Sequence, residues 1–138
     1  PAGVPWTFWL IVGVAVLYNF AGVANFVSQL DGENVAAMPD GYRAIIEGRP
    51  LWATGAFALA VIGGMAGGIL LGFRKSIALF VFLAATFGAI LTLLHSLGLG
   101  SELAHPPEFL IGNLVQIAVT GLLGWYSAWC TKKSWFSA

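Results

Sequence analysis

Charge is what this sequence has least of. Asp, Glu, Lys and Arg make up only 9% of its 138 residues, and they balance to zero. A soluble globular domain carries about 25%. A balanced and sparse charge set offers no basic face for nucleic acid. Cysteine is nearly missing too. The lone Cys130 excludes an internal disulfide, and no Cys/His run has metal-site spacing. No Ser/His/Asp set, carboxylate pair or phosphate-binding loop can be assembled, so the chain is expected to be no enzyme, with no catalytic residue, no metal and no cofactor.

What fills the chain instead is apolar. Hydrophobic residues reach 59% and the mean hydropathy is +0.87. Four runs, about 6–26, 51–73, 77–97 and 109–129, contain no Asp, Glu, Lys or Arg. Each is about 20 residues, the length with which a helix crosses about 30 Å of hydrocarbon. Helices are the spanning form expected of continuous runs, because lipid leaves no partner for an open backbone. The expected fold is therefore an all-α membrane protein. A single domain over 1–138 would hold four transmembrane helices in an up-down bundle. The first run reads as a spanning helix and not as a secretory leader, since no positive residue precedes it.

The few charges sort by connection. Arg74 and Lys75 lie between spans two and three, and Lys132 and Lys133 follow span four. The first connection, with Asp31, Glu33, Asp40, Arg43, Glu47 and Arg49, is net acidic, and the third holds Glu102 and Glu108. Basic loops stay on the cytoplasmic side. Both termini are thus expected in the cytoplasm of a bacterial inner membrane, with membrane lipid as the first partner. In the first connection, "NVAAMPDGYRAIIEG" predicts a short amphipathic helix from about Pro39 to Gly48. It reads as a lid over a pocket or simply as the cover of the bundle end.

Glycine is poorly suited to helices in water, yet span two carries two glycine pairs. In lipid, helices associate by close packing, which small residues permit. Ala56, Ala60, Gly64, Gly68 and Gly72 step along span two by fours. Gly63 and Gly67 widen that row, Gly88 lies within the small-residue row of span three, and Gly124 within that of span four. Ala60, Gly64, Gly68, Gly72, Gly88 and Gly124 are the expected packing positions, with one stripe left over for self-association or for another subunit.

Polar side chains within the spans gather toward one side. Asn19, Asn25, Thr92, His95, Asn113 and Gln116 fall in the outer halves of spans one, three and four. They read either as the lining of an outward-facing polar pocket or as interhelical hydrogen bonds that fix the bundle. "SELAHPPEF" sets Glu102, His105 and Glu108 together, read as a weak surface metal cluster or as a helix start with Glu108 at the positive end of the dipole.

Taken together, "YNFAGVANF", the long segment from "AAMPDGYRAIIEGRPLW" to "LLHS", and "LLGWYSAW" with its basic tail resemble a family of small bacterial four-helix inner-membrane proteins, often labelled "sugar transporter". The resemblance implies the fold and the membrane and carries no binding or catalytic motif. Two functions are expected from the whole. The first is an accessory or structural subunit docked by its small-residue faces on a larger membrane complex, such as a respiratory or photosynthetic one. The alternative is a transporter or binding protein for a small polar, sugar-like solute.

Overall fold

In the computed structural model, which describes residues 3–98 and 105–137, the chain is an all-α bundle. Four long helices, α1 (Trp6–Gln29), α4 (Leu51–Gly72), α5 (Ala78–Ser96) and α6 (Pro107–Lys132), are each long and apolar enough to cross a bilayer. Two short helices, α2 (Gly32–Ala36) and α3 (Asp40–Glu47), occupy the first connection. The amphipathic helix expected there is α3. The five-residue α2 was not foreseen, and Asp31 starts it by accepting the Glu33 amide at 3.0 Å.

Proline sets the helix starts. Pro5, Pro39, Pro50 and Pro106 each stand just before a helix with extended ψ, and Pro107 opens α6. A missing N–H costs nothing at these places, because the first amides of a helix have no internal partner. Helix ends are set by left-handed residues. Gly98 (φ 110°) follows α5, but Arg74 (φ 59°) and Ser134 (φ 61°) do the same work after α4 and α6. The Lys75 amide donates to Leu70 O at 3.0 Å and the Trp135 amide to Cys130 O at 3.2 Å, so both ends close as Schellman turns. The strained Arg74 is held by the tail. Its Nε donates to Trp135 O at 2.9 Å, the Ser137 amide donates to Arg74 O at 2.9 Å, and the Ser76 amide donates to Ser137 O at 2.8 Å.

The long helices form a row, with α4 between α1 and α5, and α5 between α4 and α6. Glycine makes the inner contacts. A Cβ on Gly64 would overlap Asn19 Oδ1, on Gly68 it would lie 3.3 Å from Val16 Cγ2, and on Gly72 3.2 Å from Val12 Cγ1, all on α1. On the adjoining face, a Cβ on Gly63 would meet Ala85 at 3.1 Å and one on Gly67 would meet Phe82 at 2.7 Å, both on α5. Gly88 returns the contact, since a Cβ there would lie 2.7 Å from Ala56 O. A Cβ on Gly124 would lie 3.4 Å from Phe82 Cβ, an ordinary contact of α6 with α5. The row expected as one stripe from Ala56 to Gly72 therefore serves two neighbours. A step of four residues turns about 400°, so the row drifts about 40° per step around the helix. Its Ala56–Ala60 end faces α5 and its Gly64–Gly72 end faces α1.

The two ends of the bundle differ. At the tail end, Phe8, Ala15, Leu71, Ala78, Phe82, Leu123 and Cys130 form a dry core, with Trp129, Trp135 and Phe136 packed on it. Trp135 and Phe136 stand edge-on to Phe8 at 6.4 and 5.9 Å. Of the tryptophans at this end, Trp6, Trp9 and Trp125 are exposed, while Trp129 and Trp135 are drawn into the packing. The other end is hollow and polar.

Gly88→Ala puts a methyl group against the α4 backbone, which cannot move aside. It is expected to lower stability by about 1–3 kcal/mol. Gly121→Ala meets nothing within 4 Å and is expected to be neutral or slightly stabilising. Thermal unfolding of both variants in one mild detergent, with the larger drop expected for Gly88→Ala, checks the inner glycine contact.

Candidate functional site

At the α3 end the four long helices enclose a cavity of about 420 Å³. Its floor is Gln116, whose Nε2 donates to Ala60 O at 3.3 Å and so ties α6 to α4. One turn further from the opening, Thr120 Oγ1 donates to Gln116 O at 2.9 Å, and Thr86 Oγ1 stands 2.9 Å from Thr120 Oγ1, joining α5 to α6. The wall rises through Thr92 and His95 of α5 and Asn113 of α6. Asn113 Nδ2 donates to Ser96 Oγ at 2.5 Å. Spacings of three and four residues place Thr92, His95 and Ser96 on one face of α5, and Asn113 and Gln116 on one face of α6.

The roof comes from the connections. Ile45 of α3 is buried and lines the cavity, and Tyr42 of α3 stands 5.2 Å from Phe109 at the start of α6. Arg49, just before α4, turns inward. Its Nη2 donates to Gln29 Oε1 at 2.5 Å, and its guanidinium lies 5.4 Å from the centre of the Phe57 ring. Gln29 Nε2 in turn donates to Asn25 Oδ1 at 3.4 Å. Burial pushes the Arg49 pKa down from its usual value; arginine stays protonated in proteins all the same, so the site holds a partly desolvated cation.

Two histidines meet at the wall. The His95 ring is 5% exposed and stands edge-on to Trp52 at 5.8 Å and to His105 at 4.9 Å. Both ring nitrogens of His105 are shielded from solvent and have no hydrogen-bond partner. Burial first, and the Arg49 charge second, hold the His105 pKa below the ordinary histidine value. At neutral pH the neutral ring can donate from one nitrogen and accept at the other. Among the described residues no three His, Cys, Asp or Glu come together as a metal site. Of the Glu102, His105 and Glu108 cluster, Glu102 lies outside the described residues.

Five of the six polar residues singled out in the spans, Asn25, Thr92, His95, Asn113 and Gln116, line this one cavity. Asn19 does not. It is wholly buried between α1 and α4, where its Nδ2 donates to Ala15 O at 2.8 Å and its Oδ1 has no partner. Its side chain fills the space left by the missing side chain of Gly64. Its place on the helix, and not its depth, separates it from the cavity: it stands six residues before Asn25, or about 600° of turn. Reading by depth alone also missed Arg49, Gln29 and His105, because each belongs to a segment counted as loop or as the frayed end of a span.

Protonation of His105 is expected below the ordinary histidine pKa of 6.5. The unfolded chain then takes up the proton more readily than the folded one. The fold therefore loses stability as pH falls from about 6.5 toward the depressed value. Arg49→Gln removes the second cause and leaves the first, so it raises the His105 pKa part of the way. Ring-proton NMR of the detergent-solubilised chain reads both; a His105 pKa unmoved by Arg49→Gln would contradict the electrostatic contact.

Compared with protein-family models, with curated proteins and with solved structures, the chain matches none.

Proposed function

We propose that this chain is a non-enzymatic, multi-pass membrane protein that binds a small hydrogen-bonding ligand in the cavity at its α3 end. The observation that carries the reading is the cavity itself. Its volume of about 420 Å³ lies in the range of small-molecule sites. Amides, hydroxyls, two imidazoles, one carboxylate and one guanidinium converge on it from three long helices and two connections. Side chains that only lock a bundle saturate one another and leave no volume between them. Here His105 has unused donors and acceptors.

The accessory-subunit reading drew its support from a spare small-residue face. The glycine rows of α4 are taken up by α1 and α5 within the chain, which weakens that support. Uptake by alternating access has less support than binding, because transport sites favour broken helices near the midplane, whereas α1, α4, α5 and α6 run unbroken and the cavity lies toward one end. The basic residues Arg74, Lys75, Lys132 and Lys133 at the tail end favour a cytoplasmic position for both termini in a bacterial inner membrane. The cavity then faces the opposite side.

Native mass spectrometry of the untagged chain released from its own membranes tests this. The expected spectrum shows the chain carrying a non-protein adduct that Ala89→Phe, a bulky residue placed in the cavity wall, removes. A chain without any adduct, found instead within a complex of larger subunits, would overturn the binding reading in favour of the accessory one.

A further inference from the structure

The α3-end cavity has a neighbour. Between α1 and α6 lies a second hollow of about 360 Å³, lined by Leu10, Val14 and Tyr18 on one side and Val119, Leu122 and Leu123 on the other. It lies between α1 and α6, the two edges of the helix row, beyond the ring contact of Phe8 with Tyr126 at the tail end. Leu10, Val14 and Leu122 at its rim are exposed, so the seam opens sideways to whatever surrounds the spans. Tyr18 lines both hollows. An apolar seam that follows α1 from Tyr18 to Leu10, about 12 Å, thus adjoins the polar chamber at Tyr18.

Such a pair of chambers matches a molecule with a polar head and a long apolar tail. A water-soluble solute would use only the first and leave the apolar seam empty. The charge of the head follows from Arg49. Its described partners are an amide oxygen and a ring face, and the only ion pair among the described residues is Arg43 with Asp40, elsewhere. Glu108 is the one described carboxylate on the lining, and it is exposed at the mouth, where water and salt screen it. A partly desolvated guanidinium binds carboxylate or phosphate oxygens more strongly than neutral acceptors.

Resting on the ligand-binding reading above, we propose that the ligand is a single-chain lipid with an anionic head, a carboxylate or a phosphate monoester. Its head sits beneath Arg49 and its tail lies in the seam between α1 and α6. It enters from the bilayer through that seam.

Radiolabelled palmitate, hexadecyl phosphate, hexadecanol and butyrate, each titrated against the purified full chain in phosphatidylcholine nanodiscs, test the proposal. Saturable binding is expected for palmitate, for hexadecyl phosphate or for both, and the stronger of the two identifies the head. Hexadecanol, which lacks the charge, and butyrate, which lacks the tail, are expected to bind at least about tenfold more weakly. Arg49→Gln should weaken the charged long-chain probes by about tenfold, with Arg49→Lys recovering part of the loss. Leu122→Trp, at an exposed rim position that leaves the core untouched, should weaken the long-chain probes alone. Equal binding of palmitate and hexadecanol, or no effect of Leu122→Trp together with Val14→Trp, would overturn it. If the native chain carries an adduct but neither charged long-chain probe binds, the anionic-lipid assignment fails and the ligand-binding reading stands. If the adduct is missing as well, both fail.

Discussion

Close approach of α4 to both of its neighbours is the constraint on which the rest of the molecule depends. Lipid gives helices no hydrophobic reason to leave it, so association has to come from packing. A helix that meets two partners at short range needs two faces without side chains. Gly64, Gly68 and Gly72 clear one for α1, and Gly63 and Gly67 clear the other for α5, while Gly88 lets the α5 backbone reach Ala56 and Ala60. With α4 clamped on both faces, little of it is left for α6, which packs on α5 instead and reaches α4 mainly through the Gln116 amide. The hollow end of the bundle follows from the tightness of its middle.

The placement of polar groups follows from that geometry. At the tail end, Phe8, Leu71 and Phe82 fill the space between helices, and the hydroxyls of α6 there turn back on their own helix. Ser127 Oγ donates to Leu123 O and Thr131 Oγ1 to Ser127 O, each at 2.9 Å. Such bonds satisfy a hydroxyl without asking anything of a neighbour. At the α3 end polar side chains instead bond from one element to another. Gln116 reaches across to another helix, Asn113 reaches Ser96, and Arg49 reaches Gln29. An arginine is tolerated there because its guanidinium lies over the Phe57 ring and keeps a hydrogen bond. The histidines take the remaining wall.

Much of this was legible in the chain as written. Four uninterrupted apolar runs leave only one class of fold, and proline before three of the four runs, with proline and glycine about the amphipathic segment, put α3 and the starts of α1, α4 and α6 where they are found. Depth along a span was legible as well, which is why Thr92, His95, Asn113 and Gln116 come together. Rotation about the helix axis was not. A stepped row of small residues looks continuous on paper and winds around the helix in space, so one apparent stripe on α4 became two interfaces, and Asn19 passed from the cavity to the α1–α4 contact. Left-handed helix ends at Arg74 and Ser134 had no signal, because glycine is the residue that announces them. Arg49 was hidden for another reason. Charge in a connection reads as solvated, and only the fold shows that this connection turns its cation inward.

The ends of the bundle also differ in how they are fastened. The tail end is fastened twice, by the ring contacts of Phe8 with Trp135 and Phe136 and by the backbone bonds that tie Ser137 to Arg74 and Ser76. Those bonds hold the chain beyond α6 to the α4–α5 turn, and through Phe8 they hold α1 as well. Away from that end, α1 and α6 face each other across an apolar gap with no hydrogen bond between them among the described residues. The row is therefore fastened at the tail end and lacks such ties along the rest of its α1–α6 edge. Separation of α1 from α6 breaks no glycine contact of α4, because neither the α1–α4 nor the α4–α5 interface lies on that edge. The close helix contacts that hold the fold and the groups that line the seam therefore lie on different faces of α1.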